Sequence, residues 1–228
     1  EFSRFIASPS YMLNCGLGTL MLPIAGVVLL VYQAKIRDLE LLLGAEFASL
    51  LFIAAVCLLA SMNDIAAPSV SLEGKSLWLI QSLPVTPWQA LRAKLGLQIV
   101  LTGIPALFCL ACAAIACALS AVEILMAALL VSAFVLLMAL FGLFLGLKMP
   151  NLSWTNEITP IKQSACVTLA LLGGFAYIVL LAVGCLALGG WTLGFAAYAG
   201  ICTAATLVLS ALLYCWLRRR GCAVFAAM

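Results

Sequence analysis

Six long apolar stretches, separated by short polar connections, constrain this sequence more than any other feature. A helix that crosses a bilayer needs about 20 consecutive, mostly apolar residues, and each stretch meets that length. Of the 228 residues, 67% are hydrophobic and 8% are charged, whereas a soluble domain carries about 25% charged residues. The sequence therefore predicts an all-α membrane protein, and it excludes a soluble globular domain, a disordered chain and a secreted disulfide scaffold.

Breaks at charges and at Pro/Gly clusters divide the chain into six predicted spans within a single transmembrane domain. The spans cover residues 11–32, 41–63, 95–119, 122–147, 164–188 and 191–217. Two longer polar connections, residues 66–94 and 148–163, lie between them. Pro23 and Pro105 fall inside spans, where proline is tolerated but predicts a kink.

The basic residues predict the orientation of these spans. In a six-span helix bundle with both termini in the cytoplasm, nine Lys and Arg residues face the cytoplasm and two face the outside. The positive-inside rule requires this asymmetry. The nine are Arg4, Lys75, Arg92, Lys94, Lys148, Lys162, Arg218, Arg219 and Arg220, and the two are Lys35 and Arg37.

The sequence gives no sign that the chain is an enzyme. Ser-His and Cys-His catalysis and most catalytic metal sites need an imidazole, and the sequence has no histidine. The ten cysteines lie in apolar stretches, where thiols act as inert packing groups. Gly74-Lys75-Ser76 matches the end of a phosphate-binding loop, but Ser69 stands where that loop needs glycine. We expect no catalytic, cofactor or metal site, and a net charge of +3 is too small to indicate nucleic-acid binding.

Three acidic residues lie close to the predicted membrane. An ionisable group deep in the bilayer marks a substrate pathway or a relay. Asp64 and Glu123 fall at the ends of spans, where we expect them at the interface. Glu46 lies about one turn inside the second span, so a transport pathway and an interfacial position both remain open for it.

Residues 71–88, SLEGKSLWLIQSLPVTPW, form the most informative segment. They predict a short amphipathic helix that ends before Pro84, because a residue that precedes proline disfavours the α region. Thr86 is then the N-cap of a second helix, with Pro87 at its first position and Gln89 completing a capping box. We expect a stiff cytoplasmic element that joins the third span directly. The alternative is an interfacial loop with no partner.

These residues carry a resemblance to a known family. The pattern EGKSLWLxxSLPVxP at 73–87 is similar to permease subunits of bacterial ABC exporters of the type-2 class. The resemblance extends to RFIASP at 4–9, GLKMPNLSWTNE at 146–157 and RRG at 219–221. It covers nearly all of the chain and matches the C-terminal half of longer members, which fits a chain that starts at Glu1 rather than Met.

The resemblance implies a function, a location and partners. Family members hold a coupling helix between their second and third spans, which docks on a separate ATPase subunit. By resemblance, two six-span units, identical or homologous, share the lipid bilayer of the bacterial inner membrane and export a substrate when ATP is hydrolysed. The residues expected to couple are Glu73, Lys75, Leu77, Trp78, Ile80, Leu83, Pro84, Thr86 and Pro87.

Two other functions remain open. A secondary transporter often pairs broken spans in two repeated halves, with ionisable groups near the midplane. The sequence shows no such repeat and few such charges. A non-transporting assembly or scaffold protein would not need a coupling element.

The predicted orientation can be tested with reporter tags. Tags beside Lys148 and Gly221 should report the cytoplasm, and a tag beside Arg37 should report the outside, because the basic residues are divided so unequally. Labelling of the Gly221 tag from the outside would contradict the six-span arrangement.

Overall fold

The computed structural model describes residues 1–187 and 194–228, and within them every regular element is a helix. The α-helices are α1 (Phe2–Ala7), α2 (Pro9–Cys15), α3 (Leu17–Val31), α4 (Gln33–Leu43), α5 (Ala45–Ser61), α6 (Ala66–Ser69), α7 (Leu77–Ser82), α8 (Pro87–Ala116), α9 (Ala121–Lys148), α10 (Ile158–Lys162), α11 (Ala165–Ala187), α12 (Phe195–Trp216) and α13 (Cys222–Ala226). A 3-10 helix covers Ser71–Ser76, and a π-helical turn covers Leu217–Gly221.

Five helical segments in the described chain are long and apolar enough to cross a membrane. A sixth is obtained when α2 and α3, which are bent by 47° at a short break, are counted as one span. The five are Phe47–Gly74, Pro87–Ala116, Ala121–Lys148, Ile158–Cys185 and Phe195–Ala226. These lengths confirm the prediction of an all-α, multi-pass membrane protein. The predicted junction of the last two spans, at residues 188–191, lies outside the described residues.

The first span is interrupted at Gly16 rather than at Pro23. Helix α3 continues through Pro23, and α8 likewise continues through Pro105. At Gly16 the chain passes so close to α1 that an added Cβ would lie 2.6 Å from the ring of Phe5. A side chain cannot fit into this corner, so glycine rather than proline sets the bend.

The second span begins later than predicted. Residues 33–43 form the separate helix α4, and Gly44, with a φ of 89°, turns the chain into α5. This left-handed backbone conformation costs a glycine little. The apolar residues Leu41 and Leu42 therefore belong to the preceding helix, where both are highly exposed.

Helix α9 is the central helix of the bundle. It packs against α5, α6, α8, α11 and α12, and buried side chains occur along most of its length. Two glycines on one face, Gly142 and Gly146, let α6 approach its backbone closely. A Cβ on Gly146 would collide with the carbonyl oxygen of Ala67, and one on Gly142 would lie 2.9 Å from Oδ1 of Asp64.

This close approach predicts opposite effects for two glycine substitutions. Gly146→Ala should lower the free energy of unfolding by about 1–3 kcal/mol, because the added methyl group forces backbone apart. Gly96→Ala is the matched control, since no atom lies within 4 Å of its added Cβ. In a helix interior it should stabilise by about 0.5–1 kcal/mol. Unfolding in detergent followed by circular dichroism measures both, and equal effects would contradict the proposed contact.

Candidate functional site

Three segments far apart in sequence meet at one end of the bundle, which we call the loop end: α1 and α2, residues 66–86, and residues 149–163. The hydroxyl of Ser8 donates to Glu157, with 2.9 Å between the oxygens. The backbone N–H of Asn151 donates to Ser71 Oγ at 3.0 Å. The indole Nε1 of Trp154 donates to the Ser71 carbonyl at 2.6 Å. These segments therefore form one packed surface.

Glu73 lies at the centre of this surface and makes ion pairs with two cations. The guanidinium of Arg4 contacts both carboxylate oxygens at 2.6 Å, a bidentate arrangement. The ammonium of Lys94 contacts Oε1 of Glu73, Oε1 of Glu1 at 2.9 Å and the carbonyl of Ser69 at 3.1 Å. We call Glu1, Arg4, Glu73 and Lys94 the Glu73 cluster. Two carboxylates face two cations, so its side-chain charges balance.

The Glu73 cluster is mostly removed from solvent. The side chains of Glu73 and Lys94 are fully buried, while about a third of Arg4 is exposed. The hydrogen bond from Arg4 to Glu73 raises the pKa of the guanidinium, so its charge is retained. Arg4 lies on α1 and Lys94 lies on α8, and both contact Glu73. Glu73 therefore links α1 to α8.

The next residue, Gly74, has a backbone conformation that requires glycine. Its φ of 50° lies in the left-handed region, and an added Cβ would lie 3.0 Å from Nε1 of Trp154. Trp154 thus stacks directly on the loop backbone while it donates to Ser71. The residues that carry the sequence pattern, Arg4, Glu73, Gly74 and Trp154, are brought together by these internal contacts.

Helix α7 has one face on the bundle and one exposed face. Leu77 is buried in a hydrophobic cluster that also contains residues of α8 and α9 and Phe225 of α13, and Ile80 packs against this cluster. The amide of Gln81 donates to the carbonyl of Phe225 at 3.0 Å. The opposite face is apolar and open: Trp78 is 67% exposed, and Leu79 and Leu83 are about half exposed.

The turn after α7 has the predicted geometry. Leu83 and Thr86 are extended, and the N–H of Val85 donates to the carbonyl of Leu83 at 2.7 Å across Pro84. Thr86 caps α8 with Pro87 at its first position, and the Gln89 side chain completes the capping box. Helix α8 then runs for 30 residues without interruption. The short helix, the proline turn and the capped restart that the sequence predicts are therefore all present.

The predicted coupling residues divide into buried and exposed groups. Glu73 and Leu77 point into the bundle and are not available to a partner in this arrangement. Trp78, Leu83, Pro84 and Thr86 are exposed, and Ile80 and Pro87 are half-buried. The side chains of Lys75 and Glu46 lie outside the described part of the structure.

An unwound stretch in the second span was not predicted. The chain loses helical structure between α5 and α6, at residues 62–65. Gln98 of α8 bridges it, because its amide oxygen accepts from the Ala66 N–H at 2.7 Å and its amide nitrogen donates to the Asn63 carbonyl at 3.0 Å. Tyr11 donates to the Ile65 carbonyl at 2.6 Å. Irregular backbone at membrane depth requires such internal partners.

Asp64 lies in this unwound stretch and is packed inside the bundle; its expected interfacial position stays a prediction. The residue is only 4% exposed, and its Oδ2 has no hydrogen-bond partner in the described structure. The apolar helical segment also extends beyond the predicted end of the span at residue 63, because α6 continues the chain against α9. Glu123 instead belongs to a capping box with Ser120 at the start of α9.

Comparisons of this chain with family models, with curated proteins and with solved structures give no match.

The buried ion pairs predict a large effect of neutralising Glu73. Glu73→Gln should lower the free energy of unfolding by about 3–5 kcal/mol, because it leaves the buried Lys94 and the adjacent Arg4 without their shared carboxylate. Glu157→Gln is the control, since this exposed residue only accepts from Ser8 and should cost no more than about 1 kcal/mol. Adding Lys94→Met to Glu73→Gln should recover part of the loss. Similar unfolding midpoints for the two single variants would contradict the role of Glu73.

Proposed function

We propose that this chain is the membrane-spanning permease subunit of an ATP-driven ABC exporter, as the resemblance at residues 73–87 implies. It would be passive by itself, pair with an identical or homologous permease half, and be driven by a separate ATPase subunit. The observation that supports this proposal most strongly is the exposed apolar face formed by Trp78, Leu79 and Leu83 along α7.

The exposed face of α7 suits a protein partner. Interfaces are dominated by a few aromatic and aliphatic anchors, and Trp78 is an indole that the described chain leaves two-thirds exposed. The chain also carries exposed cations on α8 and on the turn before α13, namely Arg92 and the three arginines at 218–220. A docking surface with apolar pockets and acidic margins would complement both features.

The contacts of α7 also suit the transmission of force. Leu77 and Ile80 fix the helix to α8, α9 and α13, and the proline turn joins it to the capped start of α8. A displacement of α7 would therefore be passed to the third span rather than be absorbed by a flexible loop. In the proposed mechanism, ATP-driven closure of the ATPase subunits tilts α7 and thereby moves α8.

A secondary transporter is the second candidate, and one observation favours it. The unwound residues 62–65 interrupt the second span and bring the buried carboxyl of Asp64 into the bundle. Discontinuous helices of this kind form ion and substrate sites in many secondary transporters. The exposed face of α7 has no role in such a protein, and co-purification with an ATPase separates the two candidates.

The ATPase-docking proposal predicts different outcomes for two double variants. Trp78→Ala with Leu83→Ala should abolish co-purification of an ATPase subunit, identified by mass spectrometry and by ATP hydrolysis, because the anchors are removed. Pro84→Ala with Pro87→Ala should retain the ATPase but lose ATP-induced changes in hydrogen exchange along α8, because the freed turn absorbs the motion. The purified chain alone should not hydrolyse ATP.

The control for the docking variant removes equally exposed apolar side chains from a membrane span. Leu180→Ala with Val183→Ala lies on α11, where both side chains are more than half exposed. This variant should keep the ATPase. Failure of the native chain to co-purify any ATPase, or retention of the ATPase by the Trp78 and Leu83 variant, would contradict the proposal.

A further inference from the structure

Asp64 is a buried carboxyl group to which the described side chains offer no cationic partner. One of its oxygens, Oδ1, lies against the backbone of α9 at Gly142, and the side chain accepts from the backbone N–H of Ala67. The other oxygen, Oδ2, is fully buried and finds no hydrogen-bond partner among the described residues. The ion pairs of the described chain all belong to the Glu73 cluster, and none of them includes Asp64.

The groups that face Asp64 from neighbouring helices cannot balance a negative charge. The titratable ones are the phenol of Tyr11 and the thiol of Cys15 on α2, and the thiol of Cys166 on α11. The phenol of Tyr11 already donates a hydrogen bond to the Ile65 carbonyl. Helix α9 approaches the carboxyl group at Gly142, and α6 presents the Ala67 N–H. All of these groups are neutral in their ordinary forms at pH 7.

We infer that Asp64 is a proton-binding site inside the bundle, occupied when the unwound residues 62–65 pack against the fourth span as they do here. An isolated carboxylate in an apolar interior takes up a proton rather than remain ionised. The bound proton removes the negative charge, which would be far more costly to bury than the neutral carboxyl group. The ligand is the proton, and no other cation is required.

Release of the proton is linked to movement of the unwound stretch. Residues 62–65 leave the α-helical pattern, and only Met62 and Asn63 keep short backbone hydrogen bonds to the preceding turn. Side chains hold the stretch in place, through Gln98, Tyr11 and the hydrogen bonds between Asn63 and Thr19. If these contacts open and the carboxyl reaches water, the proton transfers to water and the carboxylate remains. The protonated form therefore favours the packed arrangement, and a rise in pH favours the open one. This inference does not depend on the ATPase-docking proposal, because it uses none of the docking residues.

Infrared spectroscopy of the purified native chain in lipid nanodiscs tests the site directly. A protonated carboxylic acid gives a carbonyl band above the amide I band that shifts in D2O. We expect such a band at neutral pH in the native chain, its loss in Asp64→Asn and its retention in Asp38→Asn, which changes an exposed carboxylate on α4. Identical neutral-pH spectra for the native chain and the Asp64→Asn variant would show an ionised Asp64 and overturn the inference.

Two further measurements keep the test decisive if Asp64→Asn folds poorly. In the native chain alone, the band should persist as the pH is raised past the range near 4 in which exposed carboxyls ionise. Its complete disappearance in that range would overturn the inference. Where the variant folds, the unfolding midpoint of the native chain should fall relative to that of Asp64→Asn as the pH rises. A parallel pH dependence of the two midpoints would also overturn it.

Discussion

The carboxylate of Glu73 connects parts of the chain that no local interaction could hold together. It pairs with Arg4 from the first helix and with Lys94 from the start of the third span. Buried ion pairs gain little net stability, because the charges must be taken out of water, but removal of one partner is costly. The value of the Glu73 cluster is therefore geometric: it sets where α1, the first long loop and α8 meet. Trp154 then closes the second long loop over the adjacent Gly74.

Two elements beside the Glu73 cluster differ in how they are held: α7 with α8, and residues 62–65 of the second span. Helix α7 is fixed by Leu77 and Ile80 and leads through the proline turn into an uninterrupted α8. The second span, which precedes the Glu73 cluster, is instead unwound at residues 62–65 and held there by a few hydrogen bonds of the Gln98, Tyr11 and Asn63 side chains. Within the second span we expect this stretch to open first, since a few side-chain contacts open more readily than a continuous helix.

Some residues of the sequence motif make internal contacts, whereas others remain exposed. Glu73, Gly74 and Trp154 stand out in the sequence, yet the structure uses them as internal contacts between loops. Trp78 and Leu83, from the same motif, are the residues that remain open to a partner. The pattern alone could not separate these roles, because a helix as short as α7 shows little periodicity, and its buried side depends on which helices it meets.

Local chemistry allowed the sequence to determine the helical class, the approximate spans and the capped start of α8. Long apolar stretches can satisfy their backbone in a membrane only as helices, and Thr86, Pro87 and Gln89 lie close enough in sequence to cap without other contacts. Only the tertiary structure decided the bend at Gly16, the unwound second span and the burial of Asp64. Each depends on a neighbour distant in sequence: Phe5 against Gly16, Gln98 across residues 62–65, and Gly142 beside Asp64. Hydropathy places Asp64 at the end of a span, whereas the glycine face of α9 lets the chain continue and draws the carboxyl into the bundle.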